Sequence, residues 1–246
     1  MQPFDLHTHT TFSDGANTPQ EMVEAAIELG LKRIGISDHS HNAFNTSYCI
    51  KKDRIGEYKA EILSLKQKYA GKIEVLLGFE QGYYSDITER DCDYLIGSVH
   101  YVYKDGVYLP VDESAADTRY AIENHFGGDP YAYAKEYYRT LSRFADRDEI
   151  TIIGHFDILT KFNKQDKTID TNDPRYVAAW QSAADALIKS GKTFEINYRS
   201  MYRGLRSAPH PSDEIISYLK ERGATLVKSS DSHSTADLIK AHKEYF

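Results

Sequence analysis

Three side chains near the start of the sequence have the types and spacing of metal ligands. The segment FDLHTHTTFSDG at residues 4–15 places His7 and His9 two positions apart, and Asp14 follows. At the end of a strand, side chains at i and i+2 point to the same side. Imidazole and carboxylate groups held together bind transition metals. The segment therefore predicts part of a metal site that other regions of the chain must complete.

The same ligand types recur after short apolar runs along the chain. Seven runs are rich in β-branched and apolar residues: 4–7, 33–39, 73–80, 93–100, 150–157, 193–197 and 224–233. All but one end in potential ligands, which are His7 and His9, His39, Glu80, His100, His155, and Asp231 with His233. The exception, TFEIN at 193–197, ends without a histidine or carboxylate and is followed by the arginine-rich NYRSMYRGLR.

Helical segments separate most of these runs. Thr18 begins one helix as N-cap, with Pro19 at the first position and Glu21 completing a capping box. Further helices are predicted at 53–69, 129–145, 173–191 and 212–223, and an extended loop or hairpin at 103–114. Strands alternating with helices predict an α/β fold with a parallel sheet and helices outside it. We expect a single domain over 1–246. The architecture that we favour is a closed or nearly closed barrel, and the second choice is an open doubly wound sheet.

In such a fold the carboxyl ends of the strands meet on one face. Nine candidate ligands then converge: His7, His9, Asp14, His39, Glu80, His100, His155, Asp231 and His233. A tetrahedral metal needs about four ligands, so this set predicts more than one metal. Nitrogen and oxygen donors without thiolate suit Zn, Fe or Mn. A carboxylate such as Glu80 could bridge two of them.

Other residues near these ligands are given different roles. Asp14 could instead cap the turn in SDG. Asp38 is expected to point away from His39 by strand alternation, and Asp157, two residues after His155, is expected to hold that histidine in place by a hydrogen bond. The remaining histidines are expected to have no part in the site; they are His41, His125, His210 and His242.

Composition narrows the possible functions. The formal charge of −7 lowers the expectation of nucleic-acid binding. The two cysteines, Cys49 and Cys92, are too few for a disulfide framework and fit a reducing compartment. No signal peptide is recognised and no apolar run approaches the ~20 residues of a membrane span. We therefore expect a cytoplasmic protein without a membrane partner.

The ordered motifs carry a family resemblance. DLHTHTTFSDG, SDHS, GFE, GSVH, GHFD and SSDSH resemble the motif series of the polymerase and histidinol phosphatase (PHP) family over nearly the whole chain. The segments DYLIGSVHYVYKDGVYLPVDES and IIGHFDILTKFN look most like those of the stand-alone histidinol-phosphate phosphatases. The arginine-rich region after 193–197 departs from the shorter loop expected of them.

The resemblance implies a distorted barrel of seven β/α units and a trinuclear metal centre, and we expect two to three divalent metal ions per chain. The first metal would take His7, His9, Glu80 and Asp231; the second would share Glu80 and add His100 and His155; the third would take Asp14, His39 and His233.

The resulting functional prediction is a metal-dependent phosphomonoesterase. Its expected substrate is L-histidinol phosphate, an intermediate of histidine biosynthesis, attacked by a hydroxide that bridges two metals. The phosphate would be held by one or more of Lys161, Arg199, Arg203 and Arg206, and the leaving alkoxide would receive its proton from Asp231 or a metal-bound water. Three alternatives remain: a phosphoesterase of the same family acting on another ester, nucleotide or phosphodiester, a non-catalytic metal-binding module, and an amidohydrolase. The oligomeric state is not predicted.

Overall fold

A seven-stranded parallel sheet forms the centre of the protein in a computed structural model that describes residues 3–246. Its strands, in their spatial order, are β1 (Phe4–Asp5), β2 (Arg33–Ile36), β3 (Glu74–Gly82), β4 (Tyr94–Ser98), β7 (Ile152–Ile153), β8 (Thr193–Asn197) and β9 (Thr225–Ser229). Each predicted apolar run overlaps one of these strands, and β3 extends two residues beyond its run. The predicted hairpin is also present, as the antiparallel pair β5 (Tyr101–Lys104) and β6 (Val107–Pro110).

The two ends of the sheet approach each other. Thr8 forms a parallel bridge with Ser232, and the His9 amide donates to the Ser232 carbonyl at 2.8 Å. The first and last strands therefore meet, and the sheet is nearly closed as a barrel. This confirms the first expectation, a nearly closed barrel, rather than the open doubly wound sheet.

Helices surround the sheet, as the sequence predicts. They are α1 (Pro19–Glu28), α2 (Ile55–Lys68), α3 (Ala115–His125), α4 (Pro130–Ser142), α5 (Pro174–Lys189), α6 (Arg199–Tyr202), α7 (Asp213–Glu221) and α8 (Thr235–Tyr245). The Thr18–Glu21 capping box is present at the start of α1. Helices α3, α6 and α8 were not predicted. Among residues 3–246, no helix is both long and apolar enough to cross a bilayer.

Buried tyrosines fill much of the space between the sheet and the helices. Tyr58, Tyr137 and Tyr138 are almost fully buried. The Tyr58 hydroxyl shares its one proton between the Ile36 and Gly78 carbonyls, whose oxygens lie 2.9 and 2.8 Å from it. Such hydrogen bonds let a large aromatic ring be buried without leaving its polar atom unpaired.

Tyr94 fills the barrel interior below the site. Its hydroxyl donates to the Leu6 carbonyl at 2.5 Å. A Cβ atom at Gly35 would lie 2.0 Å from the Tyr94 hydroxyl oxygen, and one at Gly78 would lie 2.3 Å from the ring. These two glycines therefore make room for the ring, which closes the barrel beneath the polar residues at its other end.

Candidate metal centre

The nine predicted ligands lie together at the carboxyl end of the barrel. Each follows, or lies near the end of, a parallel strand, because the chain leaves every strand at the same edge. Strand β1 precedes His7, His9 and Asp14, β2 precedes His39, β3 contains Glu80, β4 precedes His100, β7 precedes His155, and β9 precedes Asp231 and His233.

The first Glu80 carboxylate oxygen faces three histidines. Oε2 lies 3.4 Å from His7 Nε2, 3.5 Å from His9 Nε2 and 2.8 Å from His39 Nδ1. Glu80 is only 1% exposed, so its charge depends on these neighbours.

The second Glu80 oxygen faces two other histidines. Oε1 lies 3.0 Å from His100 Nε2 and 2.8 Å from His155 Nε2. The carboxylate thus separates two sets of imidazoles with one oxygen toward each. A carboxylate that bridges two metals needs this arrangement.

A third group of ligands lies at the more open edge of the site. Asp14 Oδ2 is 3.2 Å from His233 Nε2, and Asp14 Oδ1 is 3.7 Å from His39 Nε2 and 3.8 Å from His9 Nδ1. The Asp14 side chain is 34% exposed, so solvent and ligands reach this edge. Asp231 Oδ1 lies 3.4 Å from His9 Nε2 and connects this group to the buried one.

Three sets of ligand atoms are compact enough for a metal ion, with all atoms of a set within 4.8 Å of one another. They are His7, His9 and Glu80; His39, Glu80 and His100; and His9, Asp14, His39 and His233. The first is the set that the resemblance implies without Asp231, and the third is the implied set with His9 added. The second contains His39 where the resemblance implies His155, although His155 Nε2 also contacts Glu80.

Buried nitrogen atoms without partners support metal binding here. His7 Nε2 and both ring nitrogens of His9 are buried and make no hydrogen bond. An unpaired buried polar atom costs about 1–3 kcal/mol, and coordination to a metal would remove that cost. The donors are imidazoles and carboxylates, which fit divalent Zn, Fe or Mn.

The local charges keep the carboxylates ionised. Burial disfavours a charge on Glu80, but His39, His100 and His7 hold its pKa well below the usual value. Burial likewise opposes a charge on Asp231, whose pKa is nevertheless held well below its usual value, chiefly by His7 and Arg199. Anionic oxygens are the form that binds a cation.

Glu195 is a buried residue of the site that the sequence analysis missed. It lies in β8, its Oε1 is 2.5 Å from His7 Nδ1, and its Oε2 accepts from the His155 amide at 2.6 Å. A carboxylate behind a ligating histidine fixes the ring and its tautomer. Asn197 Nδ2 joins Glu195 Oε2 to Asp231 Oδ2, at 3.0 Å from each. The feature of the sequence that could have identified Glu195 is the presence of a glutamate within an otherwise apolar strand.

Asp112 has a similar relation to His100. Its Oδ1 lies 3.6 Å from His100 Nδ1, and the Lys161 ammonium donates to the Asp112 carbonyl at 2.8 Å. Burial opposes a charge on His100, but Glu80 and Asp112 raise its pKa to about 10.

The cations expected to hold phosphate occupy different places. Arg199 and Lys161 line a cavity of about 190 Å³ that several of the ligands also line, together with Tyr48, Tyr101 and Ile158. Arg199 Nη1 donates to the Asp231 carbonyl at 2.7 Å. Arg203 is exposed to solvent.

The positions of Arg206 and Asp157 contradict two predictions. Arg206 Nη1 donates to Asp157 Oδ1 at 3.1 Å, so its charge is already paired away from the cavity lining. Asp157 contacts Arg206 and His210, whose Nδ1 lies 2.6 Å from Asp157 Oδ1, instead of holding His155. Only a two-residue strand precedes His155, and beyond it the chain turns, so the two-residue spacing does not keep both side chains on one side.

The structure confirms some of the residues that were expected to lie outside the site, but not all of them. Asp38 accepts hydrogen bonds from the Thr10 amide and hydroxyl at 2.8 and 2.7 Å, and so points away from the site as expected. His210, expected to be uninvolved, lines the cavity. The three remaining histidines have partners elsewhere: His41 with Ile50, His125 with Asp105, and His242 with Asp5.

Comparisons with known proteins give results that agree with one another. The family model described as PHP domain matches residues 5–199. A protein of Deinococcus radiodurans named "Probable histidinol-phosphatase" is 29% identical over 246 aligned residues, which cover 95% of this chain and 87% of that protein.

Solved structures share the fold. The hisK protein from Listeria monocytogenes superposes with a TM-score of 0.83 at 22% identity, covering 99% of this chain and 100% of that one. A histidinol phosphate phosphatase from Lactococcus lactis, solved with zinc, L-histidinol and phosphate, gives a TM-score of 0.71 at 22% identity, covering 98% and 92%.

Proposed function

The chain belongs to the PHP domain family, and from this premise we propose that it is a metal-dependent phosphomonoesterase that hydrolyses L-histidinol phosphate to L-histidinol and phosphate. The observation that carries the proposal is the position of Glu80 between two sets of imidazoles, beside a cavity that Arg199 also lines. The Deinococcus relative and the ligands in the Lactococcus structure support this choice of substrate.

The residues that would hold two to three divalent ions follow the sets that the family resemblance implies. One ion would be held by His7, His9, Glu80 and Asp231, and a second by Glu80, His100 and His155. The third would be held by Asp14, His39 and His233. When bound, these ions would supply Lewis acidity and lower the pKa of a water molecule. The proposed ions are zinc, iron or manganese, and the zinc in the Lactococcus structure favours zinc.

Residues of the chain orient the substrate around this centre. Arg199 binds the phosphate because its guanidinium lies at the cavity wall and can donate two parallel hydrogen bonds. Lys161, already near Asp112, adds a second positive charge to the cavity lining. As the P–O bond breaks, the leaving oxygen takes a proton from a water molecule in the site, because Asp231 is held ionised there and has no proton of its own to donate.

The reaction belongs to histidine biosynthesis in this proposal, and the protein acts in the cytoplasm. Both cysteines are free thiols, the state that a reducing compartment maintains.

A turnover screen tests the function. Protein loaded separately with Zn, Fe or Mn is supplied with L-histidinol phosphate, other phosphomonoesters, a nucleotide and a phosphodiester, and phosphate release is measured. The highest kcat/KM is expected for L-histidinol phosphate. Preferred cleavage of the diester contradicts the proposal. Elemental analysis of active protein should give two to three metals per chain, and less than one equivalent contradicts the polynuclear assignment.

A further inference from the structure

A buried chain of three polar residues lies in and behind the cavity wall. Asp157 Oδ1 is 2.6 Å from His210 Nδ1, and His210 Nε2 is 2.9 Å from Ser200 Oγ. All three residues are at most 2% exposed. Ser200 and His210 both line the cavity that Arg199 lines. The direction of the protons in this chain decides what Ser200 can offer to a bound molecule.

The hydrogen bonds of Arg206 leave Asp157 as the acceptor for a proton on His210 Nδ1. The two protons on Arg206 Nη1 have oxygen acceptors in Thr160 Oγ1 at 3.0 Å and Asp157 Oδ1 at 3.1 Å. Thr160 can accept because its own proton goes to the Asp157 carbonyl at 2.8 Å. Arg206 Nη1 also lies 2.5 Å from His210 Nδ1, but with both of its protons on these oxygens it has none to give the imidazole. The Asp157 carboxylate, 2.6 Å from the same nitrogen, can only accept a hydrogen bond. His210 Nδ1 therefore carries a proton and donates it to Asp157.

The opposite nitrogen of His210 is consequently an acceptor. Burial, and after it the Arg206 charge, lower the His210 pKa to about 4, so the ring is neutral near pH 7. A neutral imidazole protonated at Nδ1 has only a lone pair at Nε2. Ser200 must donate its single hydroxyl proton to that lone pair, and its oxygen presents only lone pairs to the cavity.

We propose that Ser200 is a specificity residue that accepts a hydrogen bond from an N–H group on the alcohol portion of the substrate. A phosphate dianion offers only acceptors, so it is repelled from Ser200 and directed to Arg199, which lines the same cavity. The substrate class is a phosphate monoester of an alcohol that carries an amine or imidazole. This inference rests on the proposed function and adds to it the residue that recognises the leaving group.

Kinetics on two esters test the proposal. Metal-loaded wild type, Ser200→Ala and Ser200→Thr are compared on L-histidinol phosphate and on p-nitrophenyl phosphate, whose leaving group has no hydrogen-bond donor. The selectivity for L-histidinol phosphate, as a ratio of kcat/KM values, should fall about tenfold or more in Ser200→Ala, mainly through KM. Ser200→Thr keeps the hydroxyl and should restore it. Ser207→Ala, at an exposed serine, is the matched control.

The outcomes separate this inference from the proposed function. Equal losses on both esters, or no loss on either, overturn the role of Ser200 while the phosphatase assignment stands. A wild type that hydrolyses no phosphomonoester contradicts the proposed function and the inference with it. The His210 tautomer gives an independent test, because NMR chemical shifts of its ring nitrogens, assigned with His210→Gln, should show Nδ1 protonated. Protonation at Nε2 overturns the proposal.

Discussion

His7 Nδ1 lies 2.5 Å from Glu195 Oε1, and the opposite nitrogen of the His7 ring points toward Glu80. Because a carboxylate accepts hydrogen bonds, Glu195 fixes the proton on Nδ1 and leaves the lone pair of Nε2 directed into the site. A glutamate in the wall of the barrel therefore prepares a histidine to bind metal.

Glu195→Gln should weaken metal binding about 10- to 100-fold. The glutamine amide can donate to Nδ1, which would move the ring proton to Nε2 and block that ligand atom. Metal retention in competition with a chelator measures the effect, with Glu221→Gln, at an exposed position, as the control. Unchanged affinity would show that Glu195 has only a packing role.

Glu80→Gln should release at least one metal ion, because Glu80 contributes an oxygen to each of two imidazole sets. Two nearby dications repel each other strongly, and a neutral amide no longer offsets that repulsion. His155→Ala removes a ligand from one side only and should leave another position occupied. Metal content and phosphatase rate are measured for both variants. Full metal content with a near-normal rate in Glu80→Gln means that Glu80 is not the bridge.

Arg199→Ala should cost about 2–4 kcal/mol of transition-state binding, since a charged hydrogen-bond donor to phosphate is lost. The measurement is kcat/KM for L-histidinol phosphate. Arg203→Ala, four residues on and exposed, is the matched control and should retain the wild-type value. Wild-type kcat/KM in Arg199→Ala assigns the phosphate contact to another residue.

Arg206→Ala should instead lower stability, by about 3–5 kcal/mol at pH 7, because it leaves the buried Asp157 charge without its partner. Burial opposes the charge on Asp157, but Arg206 and His210 hold its pKa well below the usual value. A depressed folded-state pKa stabilises the protein above the unfolded-state pKa of about 3.9, and this contribution is lost as pH falls toward the folded value. The destabilisation in urea should therefore shrink below about pH 4, and a pH-independent loss contradicts the ion-pair explanation.

The barrel and the convergence of ligands were predictable because both follow from local pattern. Buried strands form apolar runs, and parallel strands end at one edge, so His39 and His155 could be placed near Glu80 without coordinates. The alternation with helices predicts parallel strands in either a barrel or an open sheet, and the bridge between Thr8 and Ser232 is what shows that the sheet nearly closes.

The residues and helices that the sequence analysis did not predict correctly were missed for local reasons. Glu195 was overlooked because attention went to the ends of the runs, whereas its strand presents a side chain from its middle to the barrel interior. Asp157 follows a strand too short to keep alternation, so its direction depends on Arg206, which is distant in sequence. Helices α3 and α8 lack a strong apolar pattern. Their N-caps were nevertheless visible, since Ser114 and Ser234 each precede an aspartate by three residues.

The bridge between Thr8 and Ser232 has a consequence for how the protein matures. His9 and Asp231 lie 3.4 Å apart but belong to opposite ends of the chain. As the chain leaves the ribosome, the earliest histidines appear long before the carboxylate that completes their set. Completion of the metal site would thus wait until β9 has been synthesised, and a protein cut short before β9 has most of the ligands without the closed ring that holds them together.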